Sequence, residues 1–397
     1  MDSSTKYILL VPDGMGDRPL PELDGKTPMQ VAKKPNMDRL AASGRVGAVN
    51  TIPEGMPPGS DVAAMSLLGY DPHKYYTGRA PIEAASMQIP LDARDVAFRC
   101  NLVTSDGETM DDYSAGHVTT EEARELIHYI NDKLHTRMIS FYPGVSYRHI
   151  MVWRDASPEV KTIPPHDILG KGIAEYLPAG DGESTLRGLM FDSHELLKAH
   201  PINERRRGEG KNPANMIWLW GQGRALSVPS FFLKTGLTGG VISAVDLLKG
   251  LGRATGMAVP DVPGVTGFLD TNFEGKAQYA LEVLRDHDFV FIHAEAPDEA
   301  GHIGSLDKKI EAIELIDRRL LGPLLEGLRE IKRFRIMILP DHVTPIAIRT
   351  HASDTVPFML YSSFEPAETN LPFDERAVEE TKLRVEEGFR LIELLLG

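Results

Sequence analysis

The sequence contains a single cysteine, Cys100, among its 397 residues. One cysteine cannot form a disulfide within the chain, so nothing here requires an oxidising compartment, and we expect a cytoplasmic protein. No run approaches the roughly 18 uncharged apolar residues of a membrane-spanning helix. The composition, 42% hydrophobic and 25% charged, is typical of a globular protein and excludes a fibrous or disordered chain.

Positive charge is also scarce. Lys and Arg together number 43 against 57 Asp and Glu, which gives a formal net charge of -14. Such a surface repels nucleic acid and anionic lipid, so we expect neither as a partner. An anionic small molecule would therefore need a local cluster of cationic side chains. The sequence does not indicate an oligomeric state.

Apolar, strand-like runs alternate with helical patterns at both ends of the chain. Near the start, runs at 7–11 and 45–49 flank a helical pattern over 29–42, and the alternation returns towards the end. This order predicts an α/β fold with a doubly wound, mainly parallel sheet. The middle of the chain differs, with strands expected at 87–103 and 145–153. We therefore predict an inserted, smaller α/β domain.

Two glycine-containing segments, 78–81 and 208–213, have the composition of flexible joints. They give the boundaries of the predicted insertion. One domain is expected from residues 1–83 and 212–397, and the inserted domain from residues 84–211.

Acidic residues and histidines follow three of the apolar runs. Asp298 and His302 lie four residues apart, directly after the run at 289–293. If this segment is helical, both side chains project from one face. The carboxyl ends of strands in an open α/β sheet are also where ligands usually bind. The alternative for this pair is a loop aspartate beside an exposed histidine.

The other two runs end in a similar way. Asp341 and His342 end one of them, and His351 follows after a short loop. Asp13 ends the first run of the chain, although an Asp followed by Gly14 is also an ordinary turn. These six oxygen and nitrogen donors are sufficient for two ions and suit Mn²⁺, Mg²⁺, Co²⁺ or Zn²⁺. Because none is a cysteine, a structural thiolate zinc site is excluded.

Ser60 is the candidate nucleophile. Two prolines and Gly59 precede it, and a helical pattern over 61–68 begins directly after it. A hydroxyl at a helix N-terminus lies where a phosphoryl group is favoured, and two-metal sites activate nucleophiles for phosphoryl transfer. The alternative is a serine that only caps the helix.

Some conspicuous residues are interpreted as structural. Trp218 and Trp220 are expected in packing, His287 is expected as a surface histidine, and His293 is expected as a histidine at the end of a strand.

Four motifs occur together in the chain: Pro-Gly-Ser60-Asp-Val, Ala-Pro-Asp298-Glu-Ala-Gly-His302, Pro-Asp341-His342 and Thr-His351-Ala-Ser-Asp-Thr-Val-Pro-Phe. Together they resemble the alkaline phosphatase superfamily, and more closely the archaeal-type cofactor-independent phosphoglycerate mutases. Further motifs, including Asp13-Gly-Met-Gly-Asp and Asp112-Tyr-Ser-Ala-Gly-His117, extend the similarity over nearly the whole chain.

The resemblance implies an alkaline-phosphatase-like sheet with a metal-binding catalytic domain and an inserted cap that binds the substrate. Ser60 would take the phosphoryl group. The implied ligands are, for one ion, Asp13, Ser60, Asp341 and His342, and for the other, Asp298, His302 and His351. The implied reaction interconverts 3-phosphoglycerate and 2-phosphoglycerate in glycolysis and gluconeogenesis, without a bisphosphoglycerate cofactor.

A dense basic cluster lies near the end of the predicted insertion. It includes Arg205, Arg207 and Lys211. Arginine guanidinium groups suit carboxylate and phosphate oxygens, so these residues are candidate substrate ligands. The alternative is a solvated turn with no role.

The family also uses a histidine and arginines from its inserted domain. By this resemblance His117 and Arg148 are further substrate ligands, and Lys249 or Lys234 is a lysine near the metal site. Two other functions fit the same motifs. One is a related metal-dependent phosphotransferase or phosphatase that acts on another small hydroxy acid such as homoserine. The other is a metal-binding relative without catalysis.

Overall fold

The computed structural model describes residues 5–365, 367–369 and 371–397. In these residues the strands are β1 (Lys6–Pro12), β2 (Arg45–Val49), β3 (Val96–Ser105), β4 (Met110–Asp112), β5 (Ile139–Tyr142), β6 (Arg148–Trp153), β7 (Val160–Lys161), β8 (Ala179–Gly180), β9 (Met216–Arg224), β10 (Gly239–Ile242), β11 (Phe289–Ala294), β12 (Phe334–Ile338), β13 (Val356–Ser362) and β14 (Arg384–Val385).

The α-helices of the same residues are α1 (Pro28–Val31), α2 (Pro35–Ala42), α3 (Ser60–Leu67), α4 (Pro72–Tyr75), α5 (Arg79–Ser86), α6 (Thr120–Leu134), α7 (Glu183–Leu197), α8 (Pro201–Gly208), α9 (Phe231–Thr235), α10 (Asp246–Ala254), α11 (Phe273–Asp286), α12 (Ala296–His302), α13 (Leu306–Leu315), α14 (Gly322–Leu328), α15 (Arg376–Glu380) and α16 (Leu391–Leu396). A π-helical stretch, Ile316–Leu321, joins α13 to α14. Within the described ranges, no helix combines the length and the apolar character needed to cross a membrane.

The chain forms two compact units. Unit 1 comprises Met1–Tyr76 and Val228–Gly397, and unit 2 comprises Thr77–Ser227. The boundaries expected from the sequence, after residue 83 and before residue 212, differ from this division. Helix α5 and strand β9 both pack within unit 2, because β9 pairs antiparallel with β3 and α5 contacts both strands.

Unit 1 is built on a seven-stranded sheet in the order β10-β11-β1-β12-β13-β2-β14. The strands β10, β11, β1 and β12 run parallel, and β13 is antiparallel to both of its neighbours. The predicted α/β class with a mainly parallel sheet is therefore confirmed. Strand β11 is buried along its whole length and β1 along most of it, as expected for parallel strands with helices on both faces.

The sheet order brings together the three strands that end in acidic residues. Strand β1 lies between β11 and β12. Its register pairs Pro12 with Ala294 on one side and Leu10 with Ile338 on the other. Because the three strands are parallel and adjacent, the segments that follow them leave the sheet at one edge.

Some local predictions were wrong, for identifiable reasons. The helix expected over 29–42 is divided into α1 and α2, because Pro35 lacks a backbone N–H and disfavours helix in the residue before it. The strand expected from Met87 starts only at Val96, since α5 extends to Ser86.

Unit 2 has an antiparallel sheet in the order β4-β3-β6-β5, with β9 paired to β3. Helices α6 and α7 pack against strands β5 and β9 respectively. Trp218 of β9 is fully buried in the core of this unit, in agreement with its predicted packing role.

Candidate active site

Asp13 and Asp341 follow the adjacent strands β1 and β12, and both are buried. Oδ1 of Asp341 accepts hydrogen bonds from the backbone N–H groups of Gly14, at 3.1 Å, and His342, at 3.0 Å. Among the described residues, Oδ2 of Asp341 and Oδ1 of Asp13 are buried without a hydrogen-bond partner. Two buried, unpaired carboxylate oxygens at one edge of the sheet are the arrangement that a bound cation would satisfy.

Gly14 permits this close approach. Its φ is +58°, and a Cβ atom would lie 2.6 Å from Oδ1 of Asp298. A residue with a side chain would therefore be strained at this position and would push the two acidic segments apart.

Helix α12 brings Asp298 and His302 to the same side. Oδ2 of Asp298 lies 3.1 Å from Nε2 of His302, and Oδ1 lies 3.4 Å from Nε2 of His351. Nδ1 of His302 is 3.0 Å from the carbonyl oxygen of Arg349. A carbonyl only accepts, so Nδ1 carries a proton, and Nε2 is the ring nitrogen that faces Asp298 and His351 and would bind a metal ion once deprotonated.

His342 lies between these two groups of ligands. Its Nε2 is 3.4 Å from Oδ1 of Asp13 and 3.5 Å from Oδ2 of Asp341. Two sets of potential metal ligands share it, each with ligand atoms within 4.8 Å of one another: Asp13, Asp341 and His342, and Asp298, His342 and His351. The resemblance implies His342 for the first ion alone, whereas here it adjoins both sets.

Ser60 is the first residue of α3, and Gly59 occupies the N-cap position without a side-chain cap. The alternative of a serine that caps the helix is therefore wrong. The Ser60 hydroxyl instead lies 3.4 Å from Oδ2 of Asp13 and 3.3 Å from Nε2 of His342. The structure thus brings the candidate nucleophile against the candidate metal ligands.

The electrostatic environment differs between the carboxylates of this cluster. Burial and the nearby carboxylates of Asp341 and Asp298 raise the pKa of Asp13 well above its usual value. Burial also opposes ionisation of Asp298, but hydrogen bonds from His302 and His351 hold its pKa well below the usual range. The bond to Asp298 raises the pKa of His302 to about 9. Oxygen and nitrogen donors in this number suit hard or borderline divalent ions.

Three buried charged residues behind Asp13 are not evident from the sequence. Nε2 of His293 lies 3.3 Å from Oδ2 of Asp13, and Nδ1 lies 3.2 Å from Oε1 of Glu295. The ammonium of Lys276 pairs with Oε2 of Glu295. Burial alone would lower the pKa of His293, but the Asp13 carboxylate raises it well above the usual value. The sequence signal that could have identified them is the presence of two ionisable residues, His293 and Glu295, at the end of an apolar run.

The basic cluster near α8 makes contacts within unit 2. Arg205 forms an ion pair with Glu122 at 2.9 Å, and Arg207 donates to a backbone carbonyl at 2.7 Å. Lys211 pairs with a neighbouring glutamate at 2.7 Å. In unit 1, Nζ of Lys249 lies 4.0 Å from a carboxylate oxygen of Asp261.

His117 and Arg148 belong to a cluster of aromatic and cationic side chains in unit 2. Ring contacts connect, in order, His117, Tyr147, Tyr113, His166 and Trp220. The guanidinium of Arg148 lies 5.8 Å from the Tyr147 ring, and that of Arg99 lies 4.3 Å from the Trp220 ring. Arg99 is buried and paired with Glu83 at 3.0 Å. This aromatic and cationic cluster adds Arg99 to the candidates for binding an anion.

The fold and the clustered ligands define a class: an α/β protein with candidate metal ligands at the carboxyl ends of the parallel strands of its main sheet. Residues 41–203 match the model of a family described as 2,3-bisphosphoglycerate-independent phosphoglycerate mutase. A protein of that name from Methanothrix thermoacetophila is 53% identical over 393 residues, which covers 99% of this chain and 100% of the relative. The chain belongs to the 2,3-bisphosphoglycerate-independent phosphoglycerate mutase family.

Solved structures agree with this assignment. The PH0037 protein from Pyrococcus horikoshii superposes with a TM-score of 0.84 at 31% identity, over 99% of this chain and 97% of that one. A cofactor-independent phosphoglycerate mutase from Thermoplasma acidophilum has a TM-score of 0.67 at 28% identity, over 99% of each chain. The family resemblance inferred from the motifs is thus confirmed.

Proposed function

We propose that the protein interconverts 3-phosphoglycerate and 2-phosphoglycerate, without a bisphosphoglycerate cofactor, through a phosphoserine formed on Ser60. The full-length identity to the family supports the reaction. The observation that carries the mechanism is the position of the Ser60 hydroxyl, 3.4 Å from Oδ2 of Asp13 and 3.3 Å from Nε2 of His342. The enzyme is then an isomerase that transfers a phosphoryl group within one substrate.

The proposal includes two divalent ions, with Mn²⁺, Mg²⁺, Co²⁺ and Zn²⁺ as the candidates. The first would be held by Asp13, Ser60, Asp341 and His342, and the second by Asp298, His302 and His351. The unpaired carboxylate oxygens of Asp13 and Asp341 support the first assignment. When bound, such ions lower the pKa of a nucleophilic hydroxyl and offset the charge on phosphoryl oxygens.

The chain's own residues account for the steps as follows. Oγ of Ser60 loses its proton and attacks phosphorus, the bond from phosphorus to the substrate oxygen breaks, and that oxygen takes up a proton. The first N–H groups of α3 lack helical partners and favour the transferred group. The free glycerate then turns, and its other hydroxyl attacks the phosphoserine and releases Ser60. Water must be excluded, because it would convert the phosphoserine to free phosphate.

Unit 2 is the proposed substrate-binding cap, and the aromatic and cationic cluster that contains His117 and Arg148 is the proposed anion site. Replacing Arg148, whose side chain is exposed, with alanine should lower kcat/KM by about 10- to 100-fold, the effect of losing one charge-assisted contact worth roughly 1.5 to 3 kcal/mol. Steady-state kinetics with 3-phosphoglycerate measure this. Arg94→Ala is a matched control, since Arg94 is 81% exposed and pairs with Asp155, and its kinetics should not change.

The basic cluster near α8 is the second candidate for the same role. Arg205→Ala, Arg207→Ala and Lys211→Ala test it with the same measurement, and Lys249→Ala tests the lysine of unit 1. A 10- to 100-fold loss in Arg205→Ala or Arg207→Ala, with Arg148→Ala unaffected, would move the anion site to α8. Unchanged kinetics would indicate that these arginines serve only their contacts within unit 2.

The decisive experiment incubates purified, metal-loaded protein with 3-phosphoglycerate in the absence of bisphosphoglycerate. We expect 2-phosphoglycerate as the product. Free phosphate instead would indicate a phosphatase. No reaction, together with phosphorylation of homoserine or another small hydroxy acid from a phosphate donor, would support the related phosphotransferase. The proposal also includes a cytoplasmic location, with which the free, buried Cys100 is consistent.

A further inference from the structure

His293 lies against Asp13. Its Nε2 is 3.3 Å from Oδ2 of Asp13, whereas His342 approaches Oδ1 of the same carboxylate, at 3.4 Å. The two oxygens of Asp13 therefore face different partners. Oδ1, which has no hydrogen-bond partner among the described residues, is the oxygen left for a cation.

The ring of His293 is held from its other side by Glu295. Nδ1 of His293 lies 3.2 Å from Oε1 of Glu295. Oε1 also accepts hydrogen bonds from the hydroxyl of Ser243 and the backbone N–H of Ala244, both at 2.9 Å. The Lys276 ammonium pairs with the other oxygen, Oε2. The Glu295 carboxylate is thus fixed by four interactions in all.

Lys276 also fixes the strand that carries the histidine. Its ammonium donates to the carbonyl oxygen of His293 at 2.7 Å, and the side chains of Lys276 and His293 are both completely buried. The positive charge of Lys276 balances that of Glu295. The His293 ring is then left to face Asp13.

We propose that His293, held by Glu295 and Lys276, is a positioning residue that orients Asp13 for the first metal ion. The inference rests on the proposed metal site. Both ring nitrogens of His293 are buried, and each faces a carboxylate: Nδ1 faces Glu295 at 3.2 Å, and Nε2 faces Asp13 at 3.3 Å, with Asp341 further away at 3.9 Å. Because the two ring nitrogens face Asp13 and Glu295 from opposite ends of the ring, His293 is placed to act through Asp13, and it is not among the proposed ligands. Such supporting contacts typically affect metal affinity by about 10- to 100-fold.

The test is a calorimetric titration of the chelator-treated, full-length protein with Mn²⁺ alone. Wild type should bind two ions. His293→Leu, which removes both ring nitrogens, should weaken the binding of one ion by about 10- to 100-fold and leave that of the other unchanged. His293→Gln carries an amide N–H near the position of Nε2 and should restore the affinity to within about threefold of wild type. His149→Leu, at a completely buried histidine of unit 2, should leave both ions bound as in wild type.

Asp13→Asn separates this inference from the proposed function. If Asp13→Asn weakens one ion and His293→Leu binds both as wild type does, the positioning role is refuted. If Asp13→Asn itself binds both ions as wild type does, Asp13 is not a metal ligand and the proposed ligand set of the first ion is wrong. Equal weakening in His293→Leu and His293→Gln would also refute the role, because a purely structural loss is not rescued by a donor. Should His293→Leu fail to fold, Glu295→Gln replaces it, with weakening of the same ion expected and no change as the refuting result.

Discussion

Replacing Ser60 with alanine should abolish the mutase reaction, with a fall in kcat of more than about 10⁴-fold, while fold and metal content remain. A methyl group cannot accept a phosphoryl group, and the loss of a nucleophile costs about 10⁶-fold in a well-studied serine hydrolase. Three other proposed ligands of the first ion, Asp13, Asp341 and His342, stay in place. The measurements are the rate of 2-phosphoglycerate formation, elemental analysis of bound metal, and thermal unfolding followed by circular dichroism.

The same helix offers a matched control. Ser66 of α3 is completely buried, and its hydroxyl has no hydrogen-bond partner among the described residues, so Ser66→Ala should keep nearly full activity. Wild type quenched during turnover should carry phosphate on Ser60, and Ser60→Ala should carry none. Full activity in Ser60→Ala would remove the assignment of the nucleophile.

The candidate metal ligands could be predicted because their signal is local. Asp13, Asp298 and Asp341 each end or closely follow an apolar run, and buried parallel strands are such runs. Only their convergence depends on the fold, and the order of β11, β1 and β12 provides it. The sequence can therefore identify such residues, because a residue at the carboxyl end of a parallel strand must lie at the carboxyl edge of the sheet.

The supporting residues could not be predicted in this way. Lys276 is buried because it pairs with Glu295, 19 positions later in the chain. From the sequence alone, a lysine in a helical pattern is expected to be exposed. Arg99 similarly lies in β3, where every residue is buried, and its partner Glu83 is on α5. Each of these positive charges is stabilised by a carboxylate from another part of the chain, and no periodic pattern of the sequence indicates such a pairing.

The unit boundaries illustrate the same limit. Glycine and proline mark places where the backbone can bend, but the edge of a compact unit is decided by pairing and packing. Strand β9 follows the glycine-containing segment at 208–213 and yet pairs along most of β3. The segment at 208–213 therefore lies inside unit 2, and the division falls only after β9, between Ser227 and Val228.

Complete removal of divalent metal should silence the enzyme, with a loss of more than about 10³-fold, since charge stabilisation by such ions is worth several kcal/mol. Added Mn²⁺, Co²⁺, Mg²⁺ or Zn²⁺ should restore activity. The physical reason is the pair of buried oxygens, Oδ1 of Asp13 and Oδ2 of Asp341, that have no hydrogen-bond partner in the described part of the chain. The measurement is mutase activity after dialysis against a chelator, with metal content determined on the same sample.

Asp341→Asn tests the same prediction by changing a proposed ligand instead of removing the metal. Oδ1 of Asp341 accepts two backbone hydrogen bonds, from Gly14 and His342, and the asparagine carbonyl oxygen preserves both. Its NH₂ group then replaces Oδ2, so a donor faces the position where a cation requires an acceptor. The variant should therefore fold as wild type does, lose the first ion and behave like the chelated enzyme even in excess metal. Activity that survives both treatments would show that the phosphoryl group is transferred without metal, and the mechanism would have to rest on Ser60 and His342 alone.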